Sequence, residues 1–263
     1  FLLDEAGEPS EVAGVPPDYF SETGQLWGNP LYDWEALAAT GYDWWIRRLR
    51  RNFDLCDVVR LDHFRAFYDY WAVPAHAPDA RAGTWRDGPR EAIFAALKTA
   101  LGEPQIIAED LGEIGPEVYE FLHQLGLPGM AVLQFAFDGR DPHNAFLPHN
   151  LSPNSVVYPG THDNDTTAGW YAQLPGEVQD QVRRYYRVSG EDISWDFVRS
   201  AFASVSRLCV VSAQDLLLLD ARGRMNRPGV AEGNWSWRPT EGQMERLWEH
   251  AGYLRELTWL YGR

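Results

Sequence analysis

Short apolar runs rich in Val, Ile and Leu alternate along the chain with longer segments whose apolar positions recur at helical spacing. Runs of this length, bounded by turn residues, predict buried strands. Their alternation with helices favours a parallel α/β sheet over the other fold classes. The predicted strands are residues 58–61, 105–108, 131–134, 155–158 and 208–211.

Residues that begin or end helices mark the boundaries of the helical segments between these runs. Pro89 and Pro116 stand at the first position of two predicted helices, and Gly102 and Gly126 end those helices. Further helix starts are predicted where a capping side chain precedes an apolar segment, at Asp43, at Ser194 and at the capping-box pair Thr240 and Gln243.

Polar and charged residues directly follow most of the predicted strands. They are Asp62 and His63 after the first strand, Glu109 and Asp110 after the second, residues 160–163 after the fourth, and Gln214 and Asp215 after the fifth. A (β/α)₈ barrel builds its active site at the carboxyl ends of successive parallel strands. A doubly wound sheet does so too, but the chain has no G-x-G-x-x-G or G-x-x-x-x-G-K-[ST] motif. The pattern therefore predicts an α/β fold of the TIM (β/α)₈ barrel type.

The length of the chain suits one barrel, but the strands do not fill it. A whole barrel takes about 250 residues, and the chain has 263, yet only five strands are predicted and residues 1–30 are mostly turn residues. A compact domain rarely begins with so long a structureless stretch. We therefore expect residues 1–263 to be the C-terminal portion of a single catalytic barrel. Residues 1–33 would form an active-site loop that covers the substrate, and residues 34–263 would supply about the last five strands.

Composition narrows the function classes. The formal net charge is −15, from 23 basic and 38 acidic residues, which argues against binding to nucleic acid or to anionic membranes. No apolar run approaches the roughly 18 residues of a membrane span, and no secretory leader opens the chain, so we expect a cytoplasmic protein. The chain has 12 Trp, 12 Tyr and 12 Phe, and flat amphipathic rings of this kind are common platforms for sugar faces.

Two carboxylates at neighbouring strand ends could flank a single bond. Asp62 and Glu109 are such a pair, and paired carboxylates are the machinery that breaks a glycosidic bond. Arg60 lies two residues before Asp62 and so points the same way on a strand, where its charge would keep Asp62 ionised. Apolar residues before Glu109 would favour its protonated form. The residues alone leave open a structural alternative, in which Arg60 and Asp62 form an internal salt bridge and Glu109 begins a helix.

The segment His162-Asp163-Asn164-Asp165 allows three interpretations: a polar turn, a metal site, or a clamp on sugar hydroxyls. A metal site is weakly supported, because zinc motifs space their ligands differently and calcium loops need a longer pattern of oxygens. A clamp would strengthen as positive charge develops on a sugar ring. The turn and the clamp both remain open on these residues alone.

A series of longer motifs carries a family resemblance over roughly residues 1–238. They are VPPDYFS (15–21), GQLWGNPLY (24–32), RLDHFR (60–65), AEDLG (108–112), PGM (128–130), LQFAF (133–137), GTHDNDT (160–166), QD (214–215), RMN (224–226) and GNWSWR (233–238). In this order they resemble the 4-alpha-glucanotransferases called amylomaltases or disproportionating enzymes, which are related to the alpha-amylase clan. The short R-x-D, E-D and H-D signals are shared across that clan, whereas the blocks at 17–32 and 234–235 are highly specific.

The resemblance implies a retaining transglycosylase that acts on α-1,4-glucans. By match of motif, Asp62 would be the nucleophile, Glu109 the general acid and then base, and Asp163 the third carboxylate, which holds sugar hydroxyls. The substrate-binding residues that it implies are Asp18, Tyr19, Gln25, Trp27, Arg60, His63, His162 and Asn226. The implied partners are a donor and an acceptor maltodextrin and the N-terminal portion of the same protein, with no organic cofactor or metal. Retention requires the carboxyls of Asp62 and Glu109 to lie about 5–5.5 Å apart.

Some features depart from the family or leave its activity open. Ala66 and Arg90 stand where the family usually has glycine, and we expect the N-terminal part, about half of a typical member, to be missing. The three carboxylates alone do not separate a transferase from an amylase-type hydrolase. The aromatic block around Trp27 favours transfer, because it would shield the intermediate from water. A non-catalytic fragment that binds glucan is the other alternative.

Overall fold

The structure, a computed structural model, describes residues 1–17, 21–112 and 114–263. The chain divides into two units, Phe1–Gly129 and Met130–Arg263. Each unit has buried cores of its own, and each is described by itself.

The first unit combines a parallel strand pair, an antiparallel sheet and four helices of regular geometry among its described residues. Its strands and helices are β1 (Glu11–Val15), β2 (Gln25–Pro30), α1 (Trp34–Ala39), α2 (Asp43–Phe53), β3 (Val59–Leu61), β4 (Asp69–Pro74), β5 (Thr84–Asp87), α3 (Arg90–Leu101), β6 (Ile106–Ala108) and α4 (Pro116–Leu125). A short 3₁₀ helix, Phe64–Phe67, follows β3.

The parallel pair lies against the main core of the first unit. β3 pairs with β6 in register, with Val59 opposite Ile106 and Leu61 opposite Ala108. The core beside it is built from aliphatic residues and many rings, including Trp45, Leu49, Phe64, Phe67, Ile93, Phe94, Leu97, Phe121 and Leu122. The predicted strands at 58–61 and 105–108 are therefore confirmed, each one residue shorter at its start.

The antiparallel sheet was not predicted from the sequence. Its strand order is β2-β1-β4-β5, so the expectation that residues 1–30 contain no strand is wrong, although most of the described residues of this stretch lie outside β1 and β2. β1 is a short strand in which buried Val12 and Gly14 alternate with partly exposed neighbours, and β2 is exposed along nearly its whole length. β2 also contains Gly28 and ends at Pro30, which suits an edge strand and conceals it from a search for apolar runs. The role of residues 1–33 as a cover for the active site stays a prediction.

The second unit is built on a smaller sheet surrounded by helices. Its elements are β7 (Gly129–Val132), β8 (Ser155–Tyr158), α5 (Thr167–Gln173), α6 (Gly176–Tyr186), α7 (Ile193–Ala203), β9 (Leu208–Cys209), α8 (Ala213–Leu216), α9 (Glu241–Glu249) and α10 (Ala251–Tyr261). The strand order is β7-β8-β9, and β8 pairs with β9 in parallel.

The strands of the second unit correspond to the remaining three predicted strands, with shifted ends. The prediction at 155–158 is confirmed at both ends. The strand predicted at 131–134 begins at Gly129 and ends at Val132, because the chain turns into a 3₁₀ helix over Leu133–Phe137. The strand predicted at 208–211 covers only Leu208–Cys209. Apolar runs thus located these strands. They did not show where β7 ends, because the 3₁₀ helix that follows it is as apolar as a strand.

Most of the predicted helix boundaries are confirmed. Gly102 and Gly126 end α3 and α4, and Thr240 with Gln243 forms a capping box at the start of α9. The predicted N-cap at Ser194 is wrong, because Asp192 precedes the helix and Ser194 is buried inside α7. Asp43 is the first residue of α2 rather than its cap, and Pro89 is the cap of α3 rather than its first residue. The chain therefore has mixed α and β structure, and its assignment to part of a (β/α)₈ barrel stays a prediction.

Candidate active site

Two neighbouring parallel strands place the first two predicted carboxylates. Asp62 follows β3 and Glu109 follows β6, each directly after a pair of residues in register. The backbone continues the pairing past the strands, since Glu109 N–H donates to the Leu61 carbonyl at 2.9 Å and Phe64 N–H donates to the Glu109 carbonyl at 3.0 Å. The two residues are thus held at adjacent strand ends within the first unit.

The Glu109 carboxyl is partly buried and held by the backbone. Its Oε2 accepts a hydrogen bond from His63 N–H at 2.7 Å, and its Oε1 accepts one from Leu111 N–H at 2.9 Å. Burial raises the pKa of Glu109 and outweighs the two backbone donors and Arg60, which lower it, while Asp62 raises it further. The carboxyl is therefore fixed in position and easier to protonate than an ordinary glutamate, as a general acid must be.

The Asp62 carboxylate is in a contrasting environment. Its side chain is 75% exposed, and its Oδ1 accepts a hydrogen bond from Nη2 of Arg60, whose side chain is 27% exposed. Arg60 and Asp62 thus lie on the same side of the strand, as their spacing predicts. An exposed carboxylate oriented by a guanidinium is accessible to a substrate.

His63 and Trp27 contact each other next to this carboxylate pair. Their rings meet edge to face, with centroids 4.8 Å apart and an interplanar angle of 78°. The Trp27 indole N–H donates to Gln25 Oε1 at 3.2 Å, and both of these residues lie on β2. Burial lowers the pKa of the His63 imidazole, which favours its neutral form. Asp18 and Tyr19, the other predicted residues of this block, lie outside the described residues.

The second unit holds the third predicted carboxylate in a network of side chains. Asp163 Oδ1 accepts from Asn226 Nδ2 at 2.5 Å, and Asp163 Oδ2 lies 3.3 Å from His162 Nε2. Asn226 N–H in turn donates to the His162 carbonyl at 3.1 Å. The predicted residues His162, Asp163 and Asn226 are therefore brought together, although Asn226 is 63 positions away in sequence from Asp163.

Two further residues, to which the sequence pattern assigned no role, complete this network. Arg224 donates to the Asp163 carbonyl at 2.7 Å and to the Asn226 carbonyl at 2.8 Å, so it clamps the two segments together. The Trp235 ring lies 5.2 Å from that of His162. Both residues stand in motifs quoted above, and these motifs were the signal that could have assigned them.

The described residues of the two units thus hold two sets of predicted site residues. One set contains Arg60, Asp62, His63, Glu109, Gln25 and Trp27, and the other contains His162, Asp163 and Asn226. That the three carboxylates surround one substrate remains a prediction. Within residues 1–17, 21–112 and 114–263, no group of three or more His, Cys, Asp or Glu side chains is arranged to hold a metal ion.

Comparisons with known proteins point to one family. The model of the 4-alpha-glucanotransferase family matches residues 1–242 of the chain. The chain is 48% identical over 265 residues to the chloroplastic/amyloplastic 4-alpha-glucanotransferase of Arabidopsis thaliana, covering 100% of this chain and 46% of that protein. It is 50% identical over 267 residues to the 4-alpha-glucanotransferase of Synechocystis, covering 100% of this chain and 52% of that protein.

A solved structure agrees with these relatives. The amylomaltase from Streptococcus agalactiae in complex with acarbose matches with a TM-score of 0.93 at 37% identity, covering 100% of this chain and 53% of that one. The chain thus has the fold of the corresponding part of an amylomaltase, and it spans about half the length of the curated relatives that it matches.

The comparisons leave the cellular location open. No helix in the described part of the chain is long and apolar enough to cross a membrane. The Arabidopsis relative carries a plastid location in its name. The expected cytoplasmic location of this chain therefore stays a prediction.

Proposed function

This chain belongs to the 4-alpha-glucanotransferase family, and on that premise we propose that it carries the catalytic carboxylates of a retaining transglycosylase. The protein would transfer α-1,4-glucan segments from one maltodextrin to another through a covalent glycosyl-aspartate. The observation that supports this most is the contrast between the exposed Asp62 carboxylate and the partly buried, backbone-held carboxyl of Glu109.

The first step forms the covalent intermediate. A carboxylate oxygen of Asp62 attacks the anomeric carbon of a donor glucosyl unit while the bond from that carbon to the glycosidic oxygen breaks. The Glu109 carboxyl gives its proton to that oxygen, so that the shortened glucan leaves with a new hydroxyl group. The raised pKa of Glu109 keeps more of this acid protonated at a given pH than an ordinary glutamate would be.

The second step reverses the roles. Glu109, now ionised, takes the proton from the 4-hydroxyl of an acceptor glucan, and the hydroxyl oxygen attacks the anomeric carbon and displaces Asp62. Two displacements restore the original configuration. The donor glucan ends shorter, the acceptor glucan ends longer, and both carboxyls return to their starting protonation states.

The remaining site residues would bind and distort the sugar. We assign Asp163, oriented by Asn226 and beside His162, to hydroxyls of the reacting ring, where its bonds would strengthen as positive charge develops. Arg60 orients Asp62, and Trp27 offers an indole that is 44% exposed to a glucose unit. Asp18, Tyr19 and Gln25 would add contacts from the same block.

The same block would decide transfer against hydrolysis. Water stands at about 55 M, so an acceptor glucan competes only where the intermediate is shielded and the acceptor is held in line. An aromatic cover containing Trp27 supplies both conditions. The chain spans about half the length of its relatives. We therefore assign the rest of the barrel and of the glucan subsites to an N-terminal portion, which would complete the barrel together with β3, β6, β7, β8 and β9.

Incubation of the protein with maltotriose, followed by chromatography of the products, tests this function. We expect glucose and maltodextrins longer than the substrate. Release of new reducing ends without longer products would overturn transfer in favour of an amylase-type hydrolase. If the chain binds maltodextrin without any turnover, and turnover appears only when the N-terminal portion is supplied, the chain is a glucan-binding fragment.

A further inference from the structure

We propose that His63 is a positioning residue, which links the place of Trp27 to the orientation of the Glu109 carboxyl. The inference rests on the proposed function and deepens it, because it makes the acid of the reaction responsive to a glucan stacked on Trp27. It also changes the expected role of His63, from contact with substrate to control of a neighbouring group.

The first part of this link is the backbone of residue 63. His63 has φ of +48°, in the left-handed region that residues other than glycine rarely adopt. This conformation aims its N–H at Glu109 Oε2, 2.7 Å away, while Leu111 N–H holds the other oxygen. Uncommon backbone conformations persist where their surroundings hold them in place, and they concentrate at functional sites. One of the two backbone hydrogen bonds that orient the acid is thus made by a residue in an unfavourable conformation.

The second part is the His63 side chain. Its ring contacts the Trp27 ring edge to face at 4.8 Å, and Trp27 is tied to Gln25 on the exposed edge strand β2. An edge strand pairs on one side only, so it moves at lower cost than a strand inside a sheet. A glucose unit that stacks on Trp27 would therefore press on the same ring that packs against His63.

The charges around these groups indicate that the link acts through the backbone. His63 faces Asp62, Arg65 and Asp69, and burial lowers the pKa of its imidazole, which favours the neutral form. Arg65 is already paired with Asp69 at 2.7 Å. Glu109 is affected by Asp62 and Arg60 rather than by a charge on the imidazole. The hydrogen bond from His63 N–H to Glu109 favours the ionised carboxyl. This hydrogen bond is then the route by which residue 63 acts on the acid.

The pH dependence of kcat/KM for maltotriose disproportionation provides the test. The basic limb of this profile reports loss of the proton from the general acid of the free enzyme. His63→Val removes the ring and places a β-branched residue where φ is +48°, a conformation that such residues strongly disfavour, so the hydrogen bond from this N–H to Glu109 weakens. We expect kcat to fall about 10-fold or more and the basic limb to move up by about one pH unit, with little change in KM.

Two further variants separate the backbone from the ring. Asparagine tolerates the left-handed region, so His63→Asn should keep the basic limb within a few tenths of a unit of the wild type. Trp27→Ala should move the limb upward in the wild-type background and leave it in place in the His63→Asn background. That difference is the signature of coupling through residue 63.

Other outcomes would overturn the inference without touching the proposed function. A higher KM with an unmoved limb in His63→Val would make His63 a substrate-binding residue. A lower unfolding midpoint with an unmoved limb would make it a purely structural one. Equal limb shifts for Trp27→Ala in both backgrounds would remove residue 63 from the link. Failure of the wild-type protein to lengthen maltotriose would instead overturn the proposed function itself.

Discussion

The ends of β3 and β6 carry the same kind of group in two different environments. After β3, the Asp62 carboxylate stands mostly in solvent and takes its orientation from the Arg60 side chain. After β6, the Glu109 carboxyl is partly buried, and two backbone N–H groups hold its oxygens. Adjacent, equivalent positions of one sheet thus have different environments, which suits them to the different tasks that we propose for them.

The environment of a carboxyl determines how readily it gives up its proton and how firmly it is held in place. Burial disfavours the charged form and raises the pKa of Glu109, whereas backbone donors limit that rise and fix the geometry. A buried carboxyl with a raised pKa beside an exposed, guanidinium-oriented carboxylate is suited to act as the acid of a pair whose other member is the nucleophile. Variants that alter each carboxyl in turn test this division of roles.

Asp62→Asn should have the largest effect. The amide keeps the size of the side chain but cannot form the covalent intermediate, so we expect maltotriose transfer to fall by roughly 10⁴-fold or more. Because the side chain is 75% exposed, the unfolding midpoint should stay within about 2 °C of the wild type. The measurement is product formation beside thermal unfolding, and substantial residual transfer would remove Asp62 as nucleophile.

Glu109→Gln should have a smaller effect that depends on the leaving group. Removal of a general acid costs about 10²–10⁴-fold, and this loss should appear with glucan donors. An α-glucosyl fluoride donor needs no proton to release fluoride, so its consumption in the first step should lose far less. Asp62→Asn is the matched control, because an activated donor cannot restore a missing nucleophile. Equal losses on both donors in Glu109→Gln would contradict the acid assignment.

The same substitution tests the backbone contacts of Glu109. A carboxamide has one acceptor oxygen, whereas the N–H groups of His63 and Leu111 meet two oxygens in the wild type. One donor would be left facing an amide NH₂, which costs about 1–3 kcal/mol when the group is shielded from water. We therefore expect Glu109→Gln to lower the unfolding midpoint more than Asp62→Asn does.

Only some features of these two strand ends could be predicted from the sequence. Apolar runs located β3 and β6, and the alternation of strand side chains placed Arg60 beside Asp62. The bond from His63 N–H to Glu109 was not predictable, since it depends on a left-handed backbone at a residue whose type does not require one. The contact of Asn226 with Asp163 joins distant segments, so only the family resemblance indicated that both belong to the site.

The antiparallel sheet shows where the sequence pattern failed altogether. Strand prediction relies on alternating or continuous apolar residues, and β2 has neither because it is exposed throughout most of its length. Its identity as a strand comes from pairing with β1, a contact between segments that the local sequence does not encode. Trp27 therefore stands on a strand and not, as expected, in a loop.

Asp215 sharpens the comparison, because its carboxyl is buried like that of Glu109 but has no proposed role in the reaction. Asp215, in the second unit, is only 1% exposed, and its Oδ1 accepts from Thr167 N–H at 2.7 Å at the start of α5. Burial raises the pKa of Asp215, against the opposing effect of its hydrogen bonds. Burial with a backbone donor thus also serves to anchor a helix.

Asp215→Asn should accordingly change stability with pH and leave catalysis alone. A carboxyl whose pKa is raised by folding contributes stability that is complete below the unfolded-state pKa, about 3.9 for Asp, and is lost as pH rises through the folded-state value. The amide keeps an acceptor for Thr167 N–H and does not ionise. We expect the wild-type midpoint, relative to that of Asp215→Asn, to fall by about 2–4 °C between pH 3.5 and pH 7.

Two profiles then separate anchoring from catalysis at a buried carboxyl. In thermal unfolding scans across that range, the difference between the wild type and Asp215→Asn should grow as pH rises, because only the wild type must bury a charge there. In the pH profile of kcat/KM for maltotriose disproportionation, the basic limb should not move, since Asp215 has no part in the proposed proton transfer. A shifted limb would mean that Asp215 acts on the reacting groups, and its likeness to Glu109 would then extend to function.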